Sequence, residues 1–179
     1  MKIDSEAAML EFGRNFARQL DLPAVIELVG DVGTGKTTFT RGLATGLGVA
    51  EPVTSPSFTI SKRYAFPITS QSRKDSQLAA SQGVLIHYDF YRLGDPGIMR
   101  DELSEALAEP NAVIVVEWGG DVAELLPEHK YHLEISLNED GTRQVTVTPE
   151  LASILDSPAD DVLVGGESTP GQSAEEVSV

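Results

Sequence analysis

Cysteine is absent from the 179 residues, which excludes disulfides, thiolate chemistry and cysteine zinc sites and suits a reducing compartment. Basic side chains are scarce: 13 Lys and Arg stand against 28 Asp and Glu, for a formal net charge of -15. A free-standing nucleic-acid binder needs cations to displace phosphate counterions, so any nucleic acid would have to be held mainly by a partner. No apolar run approaches the roughly 20 residues that cross a bilayer. The acidic start MKIDSEAAML also lacks the basic and then apolar pattern of a signal peptide. These absences predict a cytoplasmic protein without membrane contact.

What is present suits one α/β domain. Hydrophobic residues make up 41% of the chain, enough for a single core. We expect that core within residues 1–150. Residues 151–179 carry six acidic residues and no basic one, mixed with Ser, Pro and Gly, and are expected to form a disordered tail; the rest of the chain keeps a charge of -9.

Apolar spacing places the elements. Met9, Phe12, Phe16 and Leu20 recur every three or four residues after Ser5, which predicts an amphipathic helix over 6–19. The run AVIELV at 24–29 reads as a buried strand, and Phe39, Leu43 and Leu47 predict a helix over 36–47 closed by Gly48. Strands are expected at 58–64, 84–90 and 112–116, with a helix at 98–108. A C-terminal β-hairpin pairs 131–137 with 143–148 around the turn at 138–141. The polar stretch between Ile68 and Gly83 reads as a surface loop. Alternating strands and helices point to a three-layer sandwich around a mixed central sheet.

Gly30-Asp31-Val32-Gly33-Thr34-Gly35-Lys36-Thr37 fits G-x-x-x-x-G-K-[ST] without a mismatch, between a predicted strand and a predicted helix. Glycine lets backbone N–H groups approach phosphate oxygens closely, and the following helix aims its positive end at the same anion. The expected nucleotide-binding residues are Asp31, Val32, Gly33, Thr34, Gly35, Lys36, Thr37 and Thr38. Lys36 is expected to reach the β- and γ-phosphates, and the Thr37 hydroxyl to ligate Mg2+.

Magnesium also calls for a carboxylate at the end of a neighbouring strand, and two are available. Glu117 closes the run AVIVV. Asp89 shares one strand face with His87 and Tyr91 by period-two alternation. His129 and His132, three apart, fall on opposite faces and make no metal pair. Arg41, Arg92, Arg100 and Arg143 are available cations, for which solvated salt bridges are the default. Trp118 is the single tryptophan, placed beside Glu117.

Taken together, Gly30 to Gly42, Val53-Thr54-Ser55-Pro56-Ser57-Phe58-Thr59, His87-x-Asp89-x-Tyr91-Arg92-Leu93 and Glu117-Trp118 closely resemble the TsaE (YjeE) family of P-loop ATPases. The resemblance implies a P-loop NTPase fold and an Mg2+-dependent ATPase. Such an ATPase joins the partners TsaB and TsaD, which place threonylcarbamoyl on adenosine 37 of tRNA, so that tRNA is met indirectly. It further implies that Lys36 binds phosphate, that Thr37 and Glu117 hold the metal, that Asp89 is needed for hydrolysis, and that Ser55 and Ser57 lie in a switch segment. Where Ser57 stands the family usually has threonine, and the loop from Ile68 to Gly83 is longer than usual. A small-molecule or nucleoside kinase is an alternative for a P-loop with strand-end acids, although no acceptor pocket or Arg-rich lid is evident. A nucleotide-sensing adaptor with negligible hydrolysis is another.

Overall fold

Residues 1–68, 82–91, 93 and 97–148 are described by the structure, a computed structural model. Most of the 68–83 loop, Arg92, Asp95, Pro96 and the 151–179 tail lie outside these residues. The elements in chain order are β1 (Lys2–Ile3), α1 (Glu6–Ala17), β2 (Ala24–Val29), α2 (Lys36–Leu47), β3 (Ser61–Pro67), β4 (Gln82–Asp89), α3 (Met99–Leu107), β5 (Ala112–Glu117), β6 (Tyr131–Leu137) and β7 (Arg143–Val147). They form a mixed α/β fold in which seven strands make one sheet in the order β1-β7-β6-β2-β5-β4-β3. β6, β2, β5 and β4 run parallel; the pairs β1/β7, β6/β7 and β3/β4 are antiparallel.

The β-branched runs occupy the middle because parallel strands are covered on both faces. All six residues of β5 are buried, alternating Val113 and Val115 toward one core with Ile114 and Val116 toward the other. The first core is closed by Met9, Phe12 and Phe16 of α1 and by Phe39 and Leu43 of α2. Leu103 and Ala106 of α3, with Val122 of the 3-10 segment Gly119–Leu125, close the second. Each fully buried aliphatic or aromatic side chain contributes about 1.5–3 kcal/mol.

α1 starts where Ser5 Oγ accepts from the Ala8 amide at 3.2 Å, a capping bond with Glu6 in the first turn. It ends at Ala17, two residues before the expected limit. α2 ends as expected at Gly48, whose φ of 84° suits glycine. The two helices touch backbone to backbone. A Cβ on Gly42 would lie 2.1 Å from the Leu10 carbonyl oxygen, one on Gly46 2.5 Å from that of Arg14, and one on Gly13 2.4 Å from that of Phe39. On the other face, α3 is tied to β4 by Tyr88, whose hydroxyl donates to Glu102 Oε1 at 3.3 Å. Burial first, and Glu102 second, push the Tyr88 phenol up, so it stays a donor.

One strand differs from expectation. Residues 58–60 do not enter β3, which runs from Ser61 to Pro67. The amides of Thr59 and Ile60 both donate to the Pro56 carbonyl, at 2.8 and 2.7 Å, so they are not available to a ladder. Ile60 lies at φ 66° and Phe58 is fully exposed. β1 has only two residues, too few to leave a periodic signal, and the 3-10 segment after β5 was likewise not expected.

Candidate functional site

The carboxyl ends of β2, β4 and β5 open on a cleft of about 770 Å³. In parallel sheets this edge is where ligands bind, because the loops leaving the strands diverge there. The loop between β2 and α2 forms one wall. Gly30, Gly33 and Gly35 adopt φ values of 146°, 86° and 111°, which side chains rarely tolerate, and a Cβ on Gly30 would meet the Ile135 carbonyl oxygen at 2.1 Å. These three positions explain the glycines of the motif.

Lys36 opens α2 with its ammonium folded back into the loop, donating to the carbonyls of Gly30 at 2.7 Å and Asp31 at 3.0 Å. It is 5% exposed, 3.8 Å from Glu117 Oε2 and 4.8 Å from the Trp118 ring centroid. A cation this far from water is tolerable only with such partners. Val32, Gly33, Gly35, Lys36, Thr37 and Thr38 line the cleft. Thr34 and Asp31 sit differently: the Thr34 hydroxyl donates to the Asp31 carbonyl at 3.0 Å and tightens the turn.

The same alternation that sends Tyr88 into the second core turns His87 and Asp89 to the opposite face, where Asp89 lines the cleft and His87 reaches Glu117. Asp89 Oδ2 accepts from Ser57 Oγ at 2.5 Å and from Ser55 Oγ at 3.3 Å, while Oδ1 accepts from the Tyr91 amide at 3.0 Å. The 55–57 segment is thus fastened to β4 through one carboxylate, and the Asp89 amide donates to the Ile60 carbonyl at 2.9 Å. Glu117 Oε1 accepts from His87 Nε2 at 2.9 Å. The sequence placed His87 on this face without giving it a task.

Trp118, at φ 57°, makes the sharp turn after β5 that lays its ring beside Tyr91, at 5.0 Å between centroids, and over Lys36. No glycine marks that turn, so the sequence held no signal for it. Of the arginines, Arg143 lines the cleft, Arg41 donates to the Val53 carbonyl at 3.2 Å, and Arg100 pairs with Glu124. His132 bonds Glu27 at 3.0 Å, away from the cleft. Among the described residues no three or more His, Cys, Asp or Glu gather into a self-sufficient metal site. The hard oxygens of Thr37 and Glu117 fit a magnesium ion that keeps most of its shell as phosphate and water. Also among the described residues, no helix is long and apolar enough to cross a membrane.

The family model described as "Threonylcarbamoyl adenosine biosynthesis protein TsaE" matches residues 3–145. The chain belongs to the TsaE family. Among TsaE relatives named as tRNA threonylcarbamoyladenosine biosynthesis proteins, that of Streptomyces coelicolor is 38% identical over 144 residues, covering 78% of this chain and 89% of its own. The TsaE protein of Treponema pallidum is 34% identical, covering 76% and 90%. The crystal structure of Bacillus subtilis YdiB superposes with a TM-score of 0.61 at 27% identity, covering 82% of each chain. The TsaE match spans β1 to β7, so it takes in every element that lines the cleft.

Proposed function

We propose that residues 1–150 form a P-loop NTPase domain of three layers. In this reading it is a cytoplasmic Mg2+-dependent ATPase required for the threonylcarbamoyladenosine modification of tRNA at position 37. It would act on a TsaB–TsaD partner complex and meet tRNA only through those partners. The observation that carries the reading is the convergence of Lys36, Thr37, Asp89 and Glu117, from α2, β4 and β5, on one cleft behind three positive-φ glycines. The chain's net charge of -15 supports the division of labour, since partners rather than this subunit would hold the RNA.

In this reading the amides of residues 31–38 cradle the phosphates, and Lys36 exchanges the Gly30 and Asp31 carbonyls for β- and γ-phosphate oxygens. Thr37 and Glu117 would hold magnesium, which would supply positive charge against the triphosphate. Asp89 orients a water for in-line attack on the γ-phosphorus. A bond forms from that water to phosphorus as the bond to the β–γ bridging oxygen breaks, giving ADP and phosphate. Ser55 and Ser57 report the outcome, because their hydroxyls reach the Asp89 carboxylate and are free to turn to a γ-phosphate instead.

The test is multiple-turnover tRNA modification with purified TsaB and TsaD, following phosphate release in parallel. Wild type should sustain both, and Lys36→Ala and Asp89→Asn neither. Equal turnover with Lys36→Ala would rule the proposal out. Phosphate appearing on a small-molecule acceptor would favour a kinase instead, and nucleotide-dependent partner binding without any phosphate release would favour an adaptor.

A further inference from the structure

A second cavity, of about 300 Å³, lies at the amino ends of β2 and β5, on the sheet face that α3 covers and at the opposite end from the cleft. Its floor is the cross-strand pair Val25 and Ile114, both buried. Its rim is half-buried Leu107 at the end of α3, half-buried Leu125 of the 3-10 segment, and exposed Pro127 and His129. Such a volume holds roughly ten waters at about 30 Å³ each, and apart from His129 the side chains around it offer them no partner. The described chain ends close by. β7 runs antiparallel to β6, so it leaves the sheet at this same end, where the Thr148 amide donates to the His132 carbonyl at 3.2 Å. β7 is two strands from β2, about 10 Å at the usual spacing.

Residues 149–179 follow, beyond the family match, which stops at residue 145. Their first stretch is set apart from the rest of the acidic tail. Thr148-Pro149-Glu150 supplies an N-cap residue, a proline for the first helical position and an acid for the first turn. Leu151, Ile154 and Leu155 then recur at i, i+3 and i+4 before Ser157-Pro158 stops the pattern. So short a helix is marginal alone in water and needs a surface for its apolar stripe. We propose that residues 149–156 dock in this cavity as a helix, setting Leu151, Ile154 and Leu155 against Val25, Ile114, Leu107 and Leu125. The span fits: at about 1.5 Å per residue the stripe ends about 10 Å from Thr148, the separation of β7 from β2. The occupant comes from the same chain because chain end and cavity share one edge of the sheet, and a tether this short holds the segment at a local concentration in the millimolar range. Docking there leaves the cleft at the carboxyl ends of the strands open.

Hydrogen exchange on the full chain tests the docking by comparing wild type with Ile154→Asp and with the milder Ile154→Ala. Ile154 belongs to neither core, so both variants should keep the fold. In wild type the amides of 151–156 should exchange at least about tenfold more slowly than those of an unstructured chain. Ile154→Asp should abolish that protection and speed exchange by about threefold or more at 107–108 and 125–130, with Ile154→Ala in between. Wild-type exchange over 151–156 at unstructured-chain rates would overturn the proposal. Protection that survives Ile154→Asp, or that is lost without a response at 107–108 and 125–130, would put the segment elsewhere and overturn it as well. Protection that fades on dilution, alongside a dimer in sedimentation, would give the cavity to the tail of a second copy and overturn docking within one chain.

Discussion

His87 Nε2 lies 2.9 Å from Glu117 Oε1, with the histidine ring fully buried and the glutamate 3% exposed. A carboxylate only accepts, so Nε2 carries the proton and leaves Oε2 turned toward Lys36. Among the described residues the other ring nitrogen, Nδ1, is buried without a partner, so the ring has this one polar task. His87→Leu should leave Glu117 free to rotate and raise the Mg2+ concentration for half-maximal ATP binding about tenfold, the effect of losing one charge-assisted hydrogen bond. His87→Gln, which can donate, should recover part of it. ATP binding in EDTA should not change in either variant. A uniform loss with and without Mg2+ would reduce His87 to a packing residue.

Ser57 and Asp89 make the shortest bond of the cleft that involves the 55–57 segment, at 2.5 Å. Ser57→Ala removes the hydroxyl while the turn keeps its Pro56 carbonyl bonds. Partner-stimulated hydrolysis should fall about tenfold with ATP affinity changed less than about threefold, because the lost bond is made to the acid proposed to act in hydrolysis rather than to the glycine loop. Ser57→Thr should hydrolyse like wild type. Unaltered phosphate release in Ser57→Ala would make the segment a plain turn.

Gly42 has no room for a side chain, since its Cβ would sit 2.1 Å from the Leu10 carbonyl oxygen. Gly42→Ala should cost about 1–3 kcal/mol through overpacking and lower the Tm by roughly 3–10 °C. Gly120, with nothing within 4 Å of a built Cβ, is the control and should tolerate alanine. Equal melting of both variants in a thermal scan would contradict the packing of α1 on α2.

Trp118, alone of its kind, lies 4.8 Å from the Lys36 ammonium. If ATP draws that ammonium onto phosphate, the ring loses its cation and its fluorescence must respond. Titrating Mg2+·ATP should give a saturable change in emission, absent in Lys36→Ala. A silent tryptophan under conditions where calorimetry reports binding would mean that Lys36 stays where it is.

Where neighbours in sequence are neighbours in space, the sequence was readable. β2, the glycine loop and α2 follow one another, and AVIELV, three glycines and Phe39-Leu43-Leu47 signal each in turn. Alternation correctly turned His87 and Asp89 to one face. The losses came from tertiary contacts. Residues 58–60 carry strand-forming side chains, but the Pro56 carbonyl claims the amides of Thr59 and Ile60. Arg143 and Met9 come from opposite ends of the described chain and meet over Gly35 only because β7 and α1 flank the same loop. Neither the His87–Glu117 bond nor the turn at Trp118 leaves a one-dimensional trace.

The three glycines at the α1–α2 contact bear on motion as well as stability. Two helices in van der Waals register along their main chains have no slack to tilt past one another, and Lys36 and Thr37 are the first residues of one of them. In the proposed reading the glycine loop is therefore the stationary half of the site, and movement is left to the strip from Thr54 to Ile60, held to β4 by the Ser55 and Ser57 hydroxyls and by the Ile60 carbonyl. Hydrogen exchange should show α2 amides equally slow with ATP, ADP or neither, and a nucleotide-dependent change confined to that strip.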